Sequence, residues 1–272
     1  MIFDTHAHYD DPIYDPDRAR LFAELKENGV GLILNPGCDL SSSRRAVELA
    51  EEYDFVYAAV GIHPEECGGV TEADYDALRR LARHPKVVAI GEIGLDYYVD
   101  GIPGKEEQQT VFRRQLQLAR ELSLPVIVHD REAHADSLAM IREFPDLDGV
   151  FHCFSGSVEM AKLLWQRGWY LGFDGPVTYK NARKAPEVIA SVPLDRILIE
   201  SDAPWLSPVP YRGKRNRSDW LRAVAEKIAE SHGVSLSEAE DATFRNGRRF
   251  YRIPEFSTFQ HNFPQNPMPE RT

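Results

Sequence analysis

The chain is poor in cysteine, with 3 in 272 residues: Cys38, Cys67 and Cys153. They are odd in number, far apart and without a C-x-x-C pair. That excludes a disulfide framework and a zinc ribbon, and reads as free thiols in a reducing compartment. Long apolar runs are missing too, and no stretch approaches the ~18 residues that a membrane-spanning helix requires. The opening residues, MIFDTHAH, lack the basic flank and apolar run of a secretory signal. These absences lead us to expect a cytoplasmic protein with no membrane partner. Positive charge is in deficit as well, since Lys+Arg 32 against Asp+Glu 43 leaves −11. This argues against bulk electrostatic attraction to nucleic acid, though not against a local cationic site. No G-x-G-x-x-G fingerprint, P-loop or G-x-S-x-G elbow occurs, which removes support for nicotinamide, nucleotide and serine-nucleophile chemistry.

What is present is apolar content of 43%, enough for a core, in a length suited to one large α/β domain. Short β-rich runs recur at Ile2–Asp4, Val30–Leu34, Phe55–Val60, Val87–Gly91, Pro125–Val128, Val150–Phe151, Tyr170–Phe173 and Ile197–Ile199. Most are continuous rather than alternating, the pattern of strands buried on both faces of a parallel sheet. Segments with helical spacing lie between them. In Glu106–Ser123, Phe112, Leu116 and Ala119 share one face, and Pro125 stops that helix. Ser41–Tyr53 is expected to open on a serine cap, and Thr71–Arg83 on an acidic first turn. Eight strands about 28 residues apart predict a (β/α)8 TIM barrel rather than an open doubly wound sheet. Two further helices are predicted around Asp219–Ser231 and Ser237–Phe250. Residues 1–252 therefore read as a single barrel domain, and 253–272, rich in Pro, Asn and Gln, as a loosely ordered tail.

Metal-capable side chains gather at one end of that barrel. His6 and His8 follow the first strand two residues apart, so an extended backbone aims both the same way. Glu92 follows the fourth strand, His129 the fifth, His152 the sixth and Asp202 the eighth. All six fall at carboxyl-terminal strand ends, the rim where barrels of this type keep their active sites. One histidine there is ordinarily a hydrogen-bonded structural residue, and one carboxylate a helix cap. Four of the chain's 9 histidines and two carboxylates on one rim read instead as a metal site. Six donors exceed the three protein ligands of a catalytic zinc. They suit two divalent ions sharing a bridging carboxylate, an arrangement for hydrolysis. Histidine-rich ligation leans toward Zn, Mn, Co or Ni over Mg without deciding the metal.

The strings DTHAH, GIHP, GEIGLDYY, IVHDR, HCFSG, ESDAPWL and YRGKRN, in this order and spacing, resemble the TatD-type metal-dependent deoxyribonucleases of the amidohydrolase superfamily. The resemblance covers residues 1 to about 252, and seven motifs agree where H-x-H alone would be weak. It implies one ion held by His6, His8, Glu92 and Asp202. A second would be held by Glu92, His129 and His152, with Glu92 bridging and Asp202 acting as general base. Two divalent ions, Mg, Mn or Zn, are the implied cofactors, and DNA, most naturally a single strand trimmed from its 3′ end, is the implied substrate.

Around this set, His63 in GIHP also reaches the rim and is a candidate phosphate contact. Arg212, Lys214 and Arg215 form a local cationic loop just after ESDAPWL, placed to grip phosphates. Two departures from the family pattern bear on substrate choice: Asn216-Arg217-Ser218 where RGKRNEP is common, and Glu65-Glu66 after GIHP where His is commoner. Glu200 precedes Asp202 by two residues and is placed to point to the same side and support the site, while Asp4 stands likewise before His6, to orient a ligand imidazole or cap the turn. Tyr97 and Tyr98 read as packing or as a base-binding face, and Cys153 as structural. The same metal set also suits a carbon ester or amide, so a hydrolase acting, for example, on aminoacyl-tRNA is the alternative. A metal-binding scaffold without catalysis predicts a missing ligand, and none is missing. An acidic, mostly polar surface leads us to expect a monomer.

Overall fold

A computed structural model describes residues 1–254. Eight parallel strands pair in chain order, which is the predicted (β/α)8 arrangement. They are β1 (Ile2–Asp4), β2 (Val30–Pro36), β3 (Val56–Val60), β4 (Val87–Asp96), β5 (Val126–Arg131), β6 (Gly149–Phe151), β7 (Tyr170–Phe173) and β8 (Ile197–Ile199). The chain just after β1 bonds back to β8. Thr5 N–H donates to the Ile199 carbonyl at 3.1 Å, and Asp202 N–H to the His6 carbonyl at 3.0 Å. The helices between strands are α1 (Arg18–Glu27), α2 (Leu40–Glu52), α3 (Glu72–Leu81), α4 (Lys105–Leu122), α5 (His134–Arg142), α6 (Val158–Trp165) and α7 (Ala185–Ser191). After β8 come α8 (Arg222–His232) and α9 (Leu236–Phe250).

The period of two along each strand divides the apolar side chains into two shells. Leu32, Leu34, Ala89, Ile127, Val150 and Leu198 form an inner set with Phe3, while Ile33, Ile90, Val126 and Val128 pack outward among helix residues such as Leu25, Leu49 and Leu116. Phe244 and Phe250 of α9 join the inner set, and Phe244 meets Gly31 near the start of β2. An aromatic plug thus fills the amino-terminal mouth, and the carboxyl-terminal rim is left for polar residues. Continuing the inner register up each strand points His129 above Ile127, His152 above Val150, and Glu200 and Asp202 above Leu198.

Several boundaries differ from the sequence reading. β4 and β5 run further than expected, so Glu92 and His129 lie inside strands rather than just past them. The cap of α2 is Asp39, whose carboxylate accepts from Ser42 N–H at 2.7 Å, and not Ser41. A short 3-10 turn, Ser218–Leu221, precedes α8, and Ser235 caps α9. Ile253, assigned to the tail, is buried with the inner set, while residues 255–272 of the expected tail lie outside the described residues.

Gly149 begins β6 directly beneath the indole of Trp169, which is 1% exposed. A Cβ there would come within 2.2 Å of the ring. Gly149→Ala is therefore expected to destabilise the barrel by about 1–3 kcal/mol, the usual cost of overpacking. Urea unfolding monitored by tryptophan fluorescence checks this; an unchanged midpoint would show that the Trp169 packing yields freely.

Candidate metal centre

Glu92 sits at the middle of the rim, 3% exposed, with its two oxygens turned to different imidazoles. Oε2 lies 3.2 Å from His6 Nε2 and 3.7 Å from His8 Nε2. Oε1 lies 3.0 Å from His129 Nδ1, 3.6 Å from His63 Nε2 and 4.0 Å from His152 Nε2. On the first side, His6 Nε2 and His8 Nε2 are 3.1 Å apart, and Asp202 Oδ1 stands 3.8 Å and 3.6 Å from them. Ligand atoms about 2.1 Å from a tetrahedral ion are separated by about 3.4 Å, so these spacings are those of a coordination polyhedron. The donor set, imidazoles with carboxylates, fits a divalent ion of the first transition row. His152 is shared less plainly, its Nε2 lying 3.8 Å from Asp202 Oδ1 and its ring stacked on His6 at 3.6 Å.

Carboxylates stand against the far nitrogens of two of the rings. His129 Nε2 is 3.0 Å from Asp96 Oδ2, and His152 Nδ1 is 2.8 Å from Glu200 Oε1. Asp96 is in turn fixed by the Tyr98 and Val99 N–H groups, and its backbone is clamped by the buried Gln108 side chain. Glu200 therefore does what its spacing predicted. Asp96 was missed, although it stands four residues beyond Glu92 on the same strand. Asp4 touches no imidazole. It accepts from the backbone N–H of His6 and Ser201 and from the Ser201 hydroxyl at 2.6 Å, tying the β1 turn to the loop after β8.

His63 is set apart from the other histidines by its proton. Glu65 N–H donates to its Nδ1 at 3.3 Å, which leaves the ring hydrogen on Nε2, facing the pocket. Burial, with the neighbouring His129, lowers its pKa to about 3, so it is a neutral donor.

The expected cationic loop behaves differently. Arg215 donates to both oxygens of Asp17, at 2.8 Å each, and rests over the Tyr14 ring. Arg212 lies over Tyr179 at 4.1 Å, and Arg217 bonds Asp219 and Glu24. Lys214 is exposed, its Nζ 5.8 Å from the Tyr211 ring centroid. The loop is bound to its surroundings, and Asn216 secures it by donating to the Ser201 and Trp205 carbonyls at 2.7 Å. None of Arg212, Lys214 and Arg215 lines the pocket of about 550 Å³ above the histidines; Arg131 and Trp205 do. Tyr97 is packing, bonded to Asp136 and Gln109, whereas Tyr98 is exposed beneath Arg131. Cys153 lies half-buried beside His152, its N–H on Glu200, and burial with Asp174 raises its thiol well above the usual range.

A family model for TatD related DNase matches residues 3–252. The chain belongs to the TatD-related DNase family. The uncharacterized metal-dependent hydrolase YabD of Bacillus subtilis is 44% identical over 255 residues, covering 93% of this chain and 100% of that protein. A Cronobacter sakazakii protein named 3′-5′ ssDNA/RNA exonuclease TatD is 34% identical, covering 92% of this chain and 97% of its own length. Among solved structures, the TatD homologue YjjV of Escherichia coli superimposes with a TM-score of 0.87 at 33% identity, covering 93% of this chain and 98% of that one. The protein is accordingly a metal-dependent hydrolase of the TatD family.

Its charge state without metal carries a consequence. Burial opposes the imidazolium of His129, yet the bonds to Asp96 and Glu92 prevail and raise it to about 9. Burial lifts Asp202 to about 7, with His152 opposing and Glu92 and Glu200 adding to the shift. Burial would raise Glu92, but His6, His152 and His63 hold it well below the carboxylate range. At neutral pH a metal must therefore displace the His129 proton before Nδ1 can bind it. Loading should release protons, and affinity should rise with pH up to about 9. Calorimetric titration with Zn²⁺ in buffers of different ionisation enthalpy measures this; heats independent of the buffer would contradict it.

Proposed function

We propose that this TatD-family hydrolase is a deoxyribonuclease that trims single-stranded DNA from its 3′ end with two divalent ions. The observation that carries the reading is the division of Glu92, one oxygen toward His6 and His8, the other toward His129. His6, His8, Glu92 and Asp202 would hold one ion, and Glu92, His129 and His152 the other. When bound, such a pair polarises a phosphoryl oxygen and makes water acidic enough to attack near neutral pH.

The protein's own groups supply the rest. Asp202 faces the pocket from the loop after β8, and its carboxylate would take the proton from the attacking water. His63 presents its Nε2–H to a phosphate oxygen as a neutral hydrogen-bond donor. Asp96 and Glu200 keep the rings of His129 and His152 from turning, so each offers the same nitrogen through the reaction. The name of the Cronobacter relatives supports nucleic acid as the substrate, and single strands suit a pocket at the rim better than a rigid duplex.

The test is the shortening of a 5′-labelled single-stranded DNA, metal-free and with Mg²⁺, Mn²⁺ or Zn²⁺, for wild type and Glu92→Ala. Metal-dependent shortening should fall at least about 100-fold in the variant, together with its metal content, while circular dichroism stays unchanged. Full turnover by Glu92→Ala would end the shared-carboxylate mechanism. A metal-loaded wild type that leaves DNA intact but cleaves a carbon ester would replace the nuclease reading with ester or amide hydrolysis.

A further inference from the structure

The pocket above the histidines has two dissimilar ends. At the His8 end stands Trp205, 53% exposed although it is a large aromatic residue. Its ring meets His8 edge-on, with centroids 5.5 Å apart at 61°, and its carbonyl is held by Asn216. The indole is therefore positioned by the protein without being covered by it. At the His129 end stands Arg131, two residues further along β5 and so on the same inner face. Its guanidinium lies 4.0 Å over the Tyr98 ring. It makes no ion pair among the described residues, unlike Arg215 and Arg217. Of the described residues that line the pocket, Arg131 carries the one guanidinium, and there is no lysine. The third wall carries Glu65 and Glu66, both exposed, which repel any additional phosphate.

We infer that Trp205 and Arg131 form a clamp for the last nucleotide step of a single strand. The indole stacks on the terminal base, and the guanidinium takes one backbone phosphate next to the scissile one. Bases stack on aromatic side chains whatever their identity, so such a clamp grips a strand end without reading sequence. One cation opposite two carboxylates accommodates one phosphate and no longer anionic run. The clamp thus places the substrate contact on Trp205 of ESDAPWL and Arg131 of IVHDR, and moves it away from Arg212, Lys214 and Arg215. The inference rests on the single-strand nuclease reading.

The experiment uses the metal-loaded full chain and compares kcat/KM for 5′-labelled oligonucleotides ending in a normal nucleotide or an abasic one. Trp205→Ala should lower kcat/KM on the normal end by about 5- to 100-fold, the range of base stacking. The abasic end should cost wild type the same factor and cost Trp205→Ala nothing more, while Trp205→Phe keeps most of the rate. Arg131→Gln should flatten the dependence of log KM on log salt by about 0.7, one phosphate contact on a single strand. Metal content should stay unchanged in all three variants. A wild type indifferent to the missing base, with Trp205→Ala at the wild-type rate and Arg131→Gln at the wild-type salt slope, would overturn the clamp alone. A loaded wild type that cleaves no oligonucleotide would overturn the nuclease reading and the clamp together.

Discussion

A buried carboxylate shared by imidazoles on both of its sides is the constraint on which the rest of this structure depends. Glu92 is withdrawn from water, and an unpaired buried carboxylate costs several kcal/mol. The surrounding histidines offset that cost, which is why its proton is lost rather than retained. Two of those histidines are in turn met by a carboxylate at the other ring nitrogen. Asp96 and Glu200 do this for His129 and His152, and Gln108 and the Tyr98 and Val99 amides secure Asp96. The charges are balanced through a network whose members lie on β4, β5 and the loops after β1, β3, β6 and β8. Removing one member leaves a buried charge without its partner, a larger loss than any single hydrogen bond.

The barrel separates stability from chemistry along its axis. At the amino-terminal mouth, Phe244 of α9 and the following Tyr251 meet Phe3, Phe250 packs on Tyr170 and Tyr251, and together they fill the interior with apolar surface. At the carboxyl-terminal rim the same inward register carries His129, His152 and Asp202 instead. A chain that alternates sides at every residue can pack a core and aim a site with one set of strands. The two faces share no side chains. Packing below can thus hold the strand ends rigid while the rim above carries strained charge.

Much of this was legible in the amino-acid sequence, for identifiable reasons. The H-x-H pair and the isolated His and Asp residues all sit near short apolar runs, and a parallel barrel sends every run's end to one rim. That juxtaposition requires only the strand count and the direction of the chain. The ends of β4 and β5 were harder to place, because GEIGLDYY and IVHDR turn polar while the backbone is still extended. Polar residues inside a strand look like loop when their burial cannot be seen. The cationic loop misled for a different reason. Arg215 meets Asp17, 198 residues earlier in the chain, so its charge is neutralised by a partner that local composition does not reveal. Arg131, Trp205 and Asp96 lie inside IVHDR, ESDAPWL and GEIGLDYY, but a place in such a string does not reveal which way a side chain faces.

Anomalous diffraction from crystals grown with Zn²⁺ or Mn²⁺ tests the central claim most directly, because it locates the ions without reference to any substrate. Two peaks about 3.5–4 Å apart are expected on opposite sides of the Glu92 carboxylate, one among His6, His8 and Asp202 and the other against His129 Nδ1. A single fully occupied peak, or two that leave Glu92 outside both coordination spheres, would contradict it.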